Sequence, residues 1–333
     1  MQQLSENKQR CPACRSEDPQ PIWSQGEPAD FRVRRCGACQ LTYTVPELTP
    51  DELLAYYGEP YYGKTNVRFN RLFESLVMWF RNRRARKIRQ YMKTGRALDV
   101  GCGRGHVLAR LRAQGWEVQG VELNEVAVRH ARDELGLNVQ IGAFDPTSFP
   151  RNHLDVIVFW HVLEHLAEPM RAINGSWDIL KPGGLLVIAV PNIASWQARL
   201  SKYHWFHLDL PRHITHFSES WLCKRLASAG FSIKEVSHFS FEQNPYGWIQ
   251  SVLNRCGLRR NLLYDIFKNE SARSLSMPFR RFPVQSALSL LGFAILLPMA
   301  CFMLIPEAVF RRGPTIELYA IKTGRQSGAA LPT

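Results

Sequence analysis

A chain of 333 residues, 45% of them hydrophobic, is long enough for one large domain with an accessory module, and its composition excludes a polypeptide without a core. Forty-two Lys and Arg against 29 Asp and Glu leave a formal charge of +13, which favours an anionic partner: nucleic acid, a phospholipid surface or a phosphorylated substrate. The polar start, MQQLSENKQRCPAC, has no apolar stretch or cleavage site of the secretory kind, so a cytoplasmic location and free thiols are expected.

In chain order, the first signal is two cysteine pairs, Cys11-x2-Cys14 and Cys36-x2-Cys39, with 21 residues between them. Each pair turns two thiolates toward one point, and together they complete a tetrahedron around zinc, with Gly37 easing the second knuckle. Two disulfides are the alternative, disfavoured in a reducing compartment. Four thiolates leave zinc no open position, so residues 1–50 read as a structural zinc ribbon. Residues 51–95 read as a linker and a basic amphipathic helix. LLAYYGEPYYG at 53–63 is expected to dock by its tyrosines. Phe69, Leu72, Phe73, Leu76, Val77 and Phe80 follow helical spacing, and RNRRARKIRQYMK continues the helix with dense positive charge. The apolar stripe is expected to pack on the neighbouring domain while the arginines face water; contact with phospholipid headgroups is the alternative.

From residue 96, β-rich and helical runs alternate: RALDV, GHVLARLRAQ, WEVQGVEL, NEVAVRHARDEL, NVQIG, LDVIVFW, EPMRAINGSWDIL, LLVIAVP. This is the order of an α/β fold with a doubly wound parallel sheet, whose ligand lies beyond the carboxyl ends of the central strands. The first strand ends in LDVGCGRGH, where Gly101, Gly103 and Gly105 let the backbone turn tightly and Asp99 stands at the strand end. Glu122 ends the second strand, where a carboxylate can accept hydrogen bonds from both hydroxyls of a ribose.

The order LDVGCGRG, GVELN, LDVIVFWHVLEH, LKPGGLLVIAVPN resembles the class I S-adenosylmethionine (SAM)-dependent methyltransferases over about residues 96–240. The resemblance implies a Rossmann-like seven-stranded sheet. It also implies that Gly101, Gly103 and Gly105 shape the loop under the methionine part, with Asp99 beside them. Glu122 would hold the ribose, Phe144 and Asp145 flank the adenine, and Trp160 and His161 sit near the sulfonium. A nicotinamide fold begins similarly, but nothing else in the chain suggests hydride transfer.

Methyl transfer needs an aligned acceptor and often a base, and six of the ten histidines, at 161, 165, 204, 207, 213 and 216, fall on the acceptor side. WFHLDLPRHITHF reads as an active-site lid with His213 and His216 as potential bases. HVLEH resembles a stretch of the quinone O-methyltransferases that reads E-x-x-E-H and is associated with a divalent metal. Glu164 and His165 match it, but His161 replaces the first carboxylate, which weakens the case for a hard cation. Sugar C-methyltransferases with an N-terminal zinc module share the layout, so acceptor oxygen and acceptor carbon both remain open.

The sixth and seventh strands are expected at SIKEVSHFS and TIELYAIKTG, so the methyltransferase domain covers 96–240 and 315–324, with a 74-residue insertion at 241–314. Within it, 282–306 is a run of 25 residues without a charge. Neighbouring strands must end up side by side, which excludes a single membrane crossing. Two crossings would need on the order of 40 apolar residues. A re-entrant or interfacial hairpin turning near Pro298 is therefore expected, with Arg280, Arg281, Arg311 and Arg312 at anionic headgroups. The alternatives are a core hairpin or a homodimer interface. The sequence thus points to a SAM-dependent methyltransferase, peripheral or monotopic at the inner membrane face, with a small-molecule, lipid or glycolipid acceptor. An RNA methyltransferase is the chief alternative. The fourth strand lacks the N-P-P-Y type of motif used on exocyclic amines, which counts against nucleic acid. A non-catalytic SAM-binding scaffold is a third reading.

Overall fold

The computed structural model describes residues 10–23, 30–49, 52–53, 55–57, 71–267 and 278–324. Three short strands build the N-terminal ribbon, β1 (Pro19–Pro21), β2 (Arg32–Cys36) and β3 (Thr42–Val45), as an antiparallel meander. Five parallel strands follow: β4 (Arg96–Val100), β5 (Glu117–Glu122), β6 (Asn138–Ile141), β7 (Leu154–Trp160) and β8 (Leu180–Pro191). Their apolar runs follow from burial on both faces: every residue from Leu185 to Val190 is inaccessible to water. After β9 (Thr215–His216), β10 (Phe231–Ser237) and β11 (Thr315–Lys322) complete the sheet, with β11 antiparallel between β8 and β10. The order β10-β11-β8-β7-β4-β5-β6 puts the topological switch between β4 and β7, where the glycine loop stands.

The ribbon is not a tethered module. β9 pairs with β3, matching Thr42 to His216 and Tyr43 to Thr215. Thr44 N donates to Ile214 O at 2.9 Å and Thr44 Oγ1 to His213 O at 2.7 Å. This corrects the expected lid. Residues 205–217 are a packed wall, with Trp205, Leu208 and Phe217 wholly buried, because the ribbon's edge strand found its hydrogen-bond partners there.

The basic helix spans Arg71–Tyr91, with Phe80, Ala85 and Ile88 buried against the sheet side of the fold. Its polar side departs in part from expectation. Arg83 pairs with Glu317 at 3.4 Å, Arg84 with Glu242 at 2.5 Å and Lys87 with Glu235 at 2.8 Å, so these charges meet protein carboxylates, while Arg86 is exposed to water as expected. Phe69, and residues 58–63 of the tyrosine-rich stretch, lie outside the described residues.

The insertion runs out along helix Asn244–Arg255 and back along Pro283–Phe302, with short helices Leu262–Phe267 and Leu304–Val309 at the turns. Trp248 Nε1 reaches Glu307 at one end of the pair and Arg259 N reaches Gln285 at the other, so the two long helices are antiparallel. The chain therefore returns to its sheet edge, as pairing of β10 with β11 demands. The hairpin about Pro298 is corrected: the helix continues through that residue. Proline removes only the bond to the Ala294 carbonyl, and packing of Leu296 and Ala300 on Trp248, Ile249 and Leu253 outweighs that loss.

Candidate active site

The carboxyl ends of β4, β5 and β7 open onto one chamber of about 1080 Å³. Gly101, Gly103 and Gly105 follow β4 with φ of 70°, 54° and 78°, the left-handed region where glycine alone is unstrained. Two of them differ in purpose. A Cβ on Gly101 would lie 2.4 Å from Val162 Cγ2, whereas one on Gly103 would meet nothing within 4 Å. Gly103 is thus where a ligand can lie against bare backbone. Across from it, Glu122 accepts Gly103 N at 2.8 Å and Asn124 N at 2.9 Å, which fixes the carboxylate while leaving lone pairs unfilled. Burial pushes the Asp99 carboxyl up to about 7, with the Arg84 guanidinium opposing and Glu122 reinforcing.

Phe144 lines the chamber, edge-on to Phe159 at 5.4 Å. Asp145 does not join it. Its carboxylate accepts Thr147 N, Thr147 Oγ1 and Arg171 Nη2 at 3.1, 2.7 and 3.0 Å, because the turn after β6 needs a cap. Trp160 ends β7 with the Arg84 guanidinium 4.2 Å from its ring centroid, a cation–π contact inside the chamber wall.

Four expected acceptor-side residues come together. His161 takes a left-handed conformation, φ 54°, held by its N–H on Ala189 O at 2.8 Å. Its Nδ1 lies 3.2 Å from Glu164 Oε1, and its Nε2 is buried without a partner among the described residues. Glu164 is 1% exposed. Burial would raise its carboxyl, but the His161 N–H and the neighbouring imidazoles prevail and hold it down at about 2. His165 Nδ1 donates to Arg212 O at 3.0 Å and His213 Nδ1 to His207 O at 2.9 Å, which turns the Nε2 lone pair of each ring toward the interior. Ligand atoms of Glu164, His165 and His213 lie within 4.8 Å of one another.

His216 is the exception. It sits in β9 with Nε2 3.0 Å from Thr44 Oγ1, away from the chamber-lining residues, and burial pushes its imidazole down to about 3. A neutral ring committed to the ribbon is not an acceptor-side base.

At the ribbon, the cysteines converge with Cys11 Sγ to Cys39 Sγ and Cys14 Sγ to Cys36 Sγ both 3.5 Å, and all four sulfurs within 4.8 Å. The edge of a ZnS₄ tetrahedron is about 3.8 Å, whereas a disulfide is about 2.05 Å, so the donor set fits a metal and excludes the bridges.

A family model described as a methyltransferase domain matches residues 78–236. Residues 78–236 are a class I SAM-dependent methyltransferase domain. It is 33% identical over 106 residues to the ubiquinone biosynthesis O-methyltransferase of Coxiella burnetii (strain RSA 493 / Nine Mile phase I), covering 30% of this chain and 45% of that one. The corresponding protein of Parvibaculum lavamentivorans is 30% identical over 171 residues, 46% of this chain and 65% of that one. The chain thus spans about half the length of the first of these relatives and less than two thirds of the second. A solved SAM-dependent methyltransferase from Archaeoglobus fulgidus shares 22% identity, with a TM-score of 0.45 over 74% of this chain and 94% of that one.

The methyltransferase domain does not line its chamber alone. Tyr246, Phe293 and Leu297 come from the insertion, outside residues 78–236, while Arg84 from helix Arg71–Tyr91 and Phe206 and His207 from the packed wall complete the lining from within that span. One of these had a signal in the sequence. Arg84 stands four residues after Phe80 and four before Ile88, on the buried stripe of its own helix.

Proposed function

We propose that this chain transfers a methyl group from SAM to a lipid or lipid-linked acceptor, such as a quinone precursor or a polyprenyl-linked sugar, at a membrane surface. The observation that carries the reading is the single chamber joining the glycine loop and Glu122 to His161, Glu164 and His213. Its volume of about 1080 Å³ lies just above the range of roughly 300–1,000 Å³ for single small-molecule sites, which suits cosubstrate and acceptor together.

When bound, SAM supplies an electrophilic methyl on sulfur. Glu122 accepts the ribose hydroxyls, the backbone at Gly103 lies under the methionine part, and Phe144 covers the adenine. Glu164 orients His161 through Nδ1–H, leaving Nε2 to take the proton that the acceptor gives up as it bonds to the methyl carbon. Glu164, His165 and His213 would hold a divalent ion of borderline softness better than magnesium, since two of three donors are imidazoles. The four ribbon cysteines hold structural zinc. The exposed apolar side of Pro283–Phe302, with Arg280 and Arg281 exposed at its start, suits an interfacial position. Arg311 adds less, because it pairs with Glu219.

The test is turnover with SAM and a membrane lipid extract, read as S-adenosylhomocysteine formed and as lipid gaining one methyl mass. His161→Asn tolerates the left-handed backbone but is no base, and is expected to lower turnover about 10²–10⁴-fold with SAM affinity unchanged. Full turnover in that variant removes His161 as base; absence of SAM binding in the parent protein removes the whole reading.

A further inference from the structure

Helix Pro283–Phe302 presents three sides at helical spacing. Ser286, Ser289 and Ala300 are buried against the fold, with Phe293 and Leu296 packed beside Ala300. Val284, Leu288, Leu291, Ile295 and Phe302 form an exposed stripe, Ile295 at 66% and Phe302 at 70%. Phe293, Leu297 and Cys301, four residues apart, line the same chamber that holds Gly103 and His161. Leu297 belongs to both outer sides, since it lines the chamber and is 36% exposed.

The chamber changes character along its length. Around Glu122, Glu164 and His213 it is charged and polar. Beyond His207, Phe206 stands edge-on to Tyr246 at 5.1 Å, and Phe267 edge-on to Phe293 at 5.2 Å, so the far end is mainly aromatic and aliphatic; Asn261, Tyr264 and Asp265 also line it, with Asp265 paired to Arg259 at 2.8 Å. A polar acceptor with no tail would leave this end filled with water against apolar walls, which is unfavourable.

We infer that the far end of the chamber, walled by Phe267, Phe293, Leu297 and Cys301, binds the apolar chain of a lipid that enters from the bilayer past Leu297. One helix then serves as both membrane-contacting surface and tail-binding wall. The inference rests on the lipid-acceptor reading and narrows it to acceptors whose chain stays attached while the head group reaches His161.

The test uses the full-length protein bound to vesicles of phosphatidylethanolamine and phosphatidylglycerol carrying a trace of phospholipid with a diazirine on its acyl chain. Photolabelled residues are mapped by mass spectrometry. Label is expected on the outer stripe, Leu288, Leu291 and Ile295, and also on Phe267 and Phe293. Leu297→Trp is expected to lower the inner labelling about tenfold, because overfilling an apolar site expels its occupant, while the outer labelling persists. Cys301→Phe, one turn further along, should reproduce this and guards against a folding defect in either variant. Label on the outer stripe alone in the parent protein overturns the tail site and leaves membrane contact standing. Inner label unchanged in both variants also overturns it. No label on either side overturns the tail site and the membrane reading together.

Discussion

Glu122 holds two backbone N–H groups before any ligand arrives, and that sets what its replacement should do. Glu122 as a whole is 8% exposed, so a ribose hydroxyl bonding to it loses little to competition from water. Glu122→Ala removes the ribose acceptor and also releases Gly103 N, which helps hold the loop in shape. SAM affinity by calorimetry should fall by about 1–3 kcal/mol. Glu122→Gln keeps one acceptor oxygen and should lose less. Equal affinity in parent and Ala variant, both folded, would place the ribose elsewhere. His161 and His216 show the same logic in reverse. Both lie on the acceptor-side segment, but one has an unpartnered Nε2 beside a carboxylate and the other is bonded to Thr44, so their chemistry differs for reasons of pairing alone.

At the scale of elements, helix Arg71–Tyr91 reaches the chamber wall from outside the sheet. Arg84 lies over Trp160 and donates from Nη2 to both carboxylate oxygens of Glu242, at 2.7 and 2.5 Å, so it ties the N-terminal helix, β7 and the start of the insertion to one guanidinium. Arg84→Ala leaves Glu242 partly buried without its partner and should destabilise the protein by about 1–3 kcal/mol in denaturant unfolding. Arg84→Lys should recover only part of this, because a compact ammonium has no planar face to lie over Trp160 while it reaches Glu242. Full recovery by Lys would show that charge alone matters there. The same helix shows what was legible in the sequence. Its existence followed from apolar spacing, as the strands followed from apolar runs and the glycine loop from its local motif. The partners of Arg83, Arg84 and Lys87 did not, because Glu317, Glu242 and Glu235 lie 234, 158 and 148 residues away along the chain. Helix Pro283–Phe302 failed differently. Pro298 was a sound local signal for a break, and tertiary packing overrode it.

Across the whole molecule, the ribbon and the acceptor side are mechanically joined through Ile214. Its carbonyl accepts Thr44 N from β3, and its N–H donates to Glu164 O, both at 2.9 Å. β2 and β3 are in turn set by the knuckle at Cys36 and Cys39, where Cys36 N donates to Leu41 O at 2.8 Å. A metal that fixes four sulfurs therefore also fixes the strand on which His213 and Glu164 depend for position. Removing it with a chelator, or replacing Cys36 by Ser, should unlock β3 from β9. Amide exchange at 213–216 should then speed up by about tenfold or more, as expected when a segment loses the bonds that close it. Turnover should fall with it, while SAM affinity stays near the parent value, because Gly103 and Glu122 sit on the opposite side of the switch point. Two results would contradict this coupling. One is a melted ribbon with exchange at 213–216 unchanged; the other is SAM binding lost in proportion to turnover, which would mean that the metal stabilises the fold as a whole rather than the acceptor side.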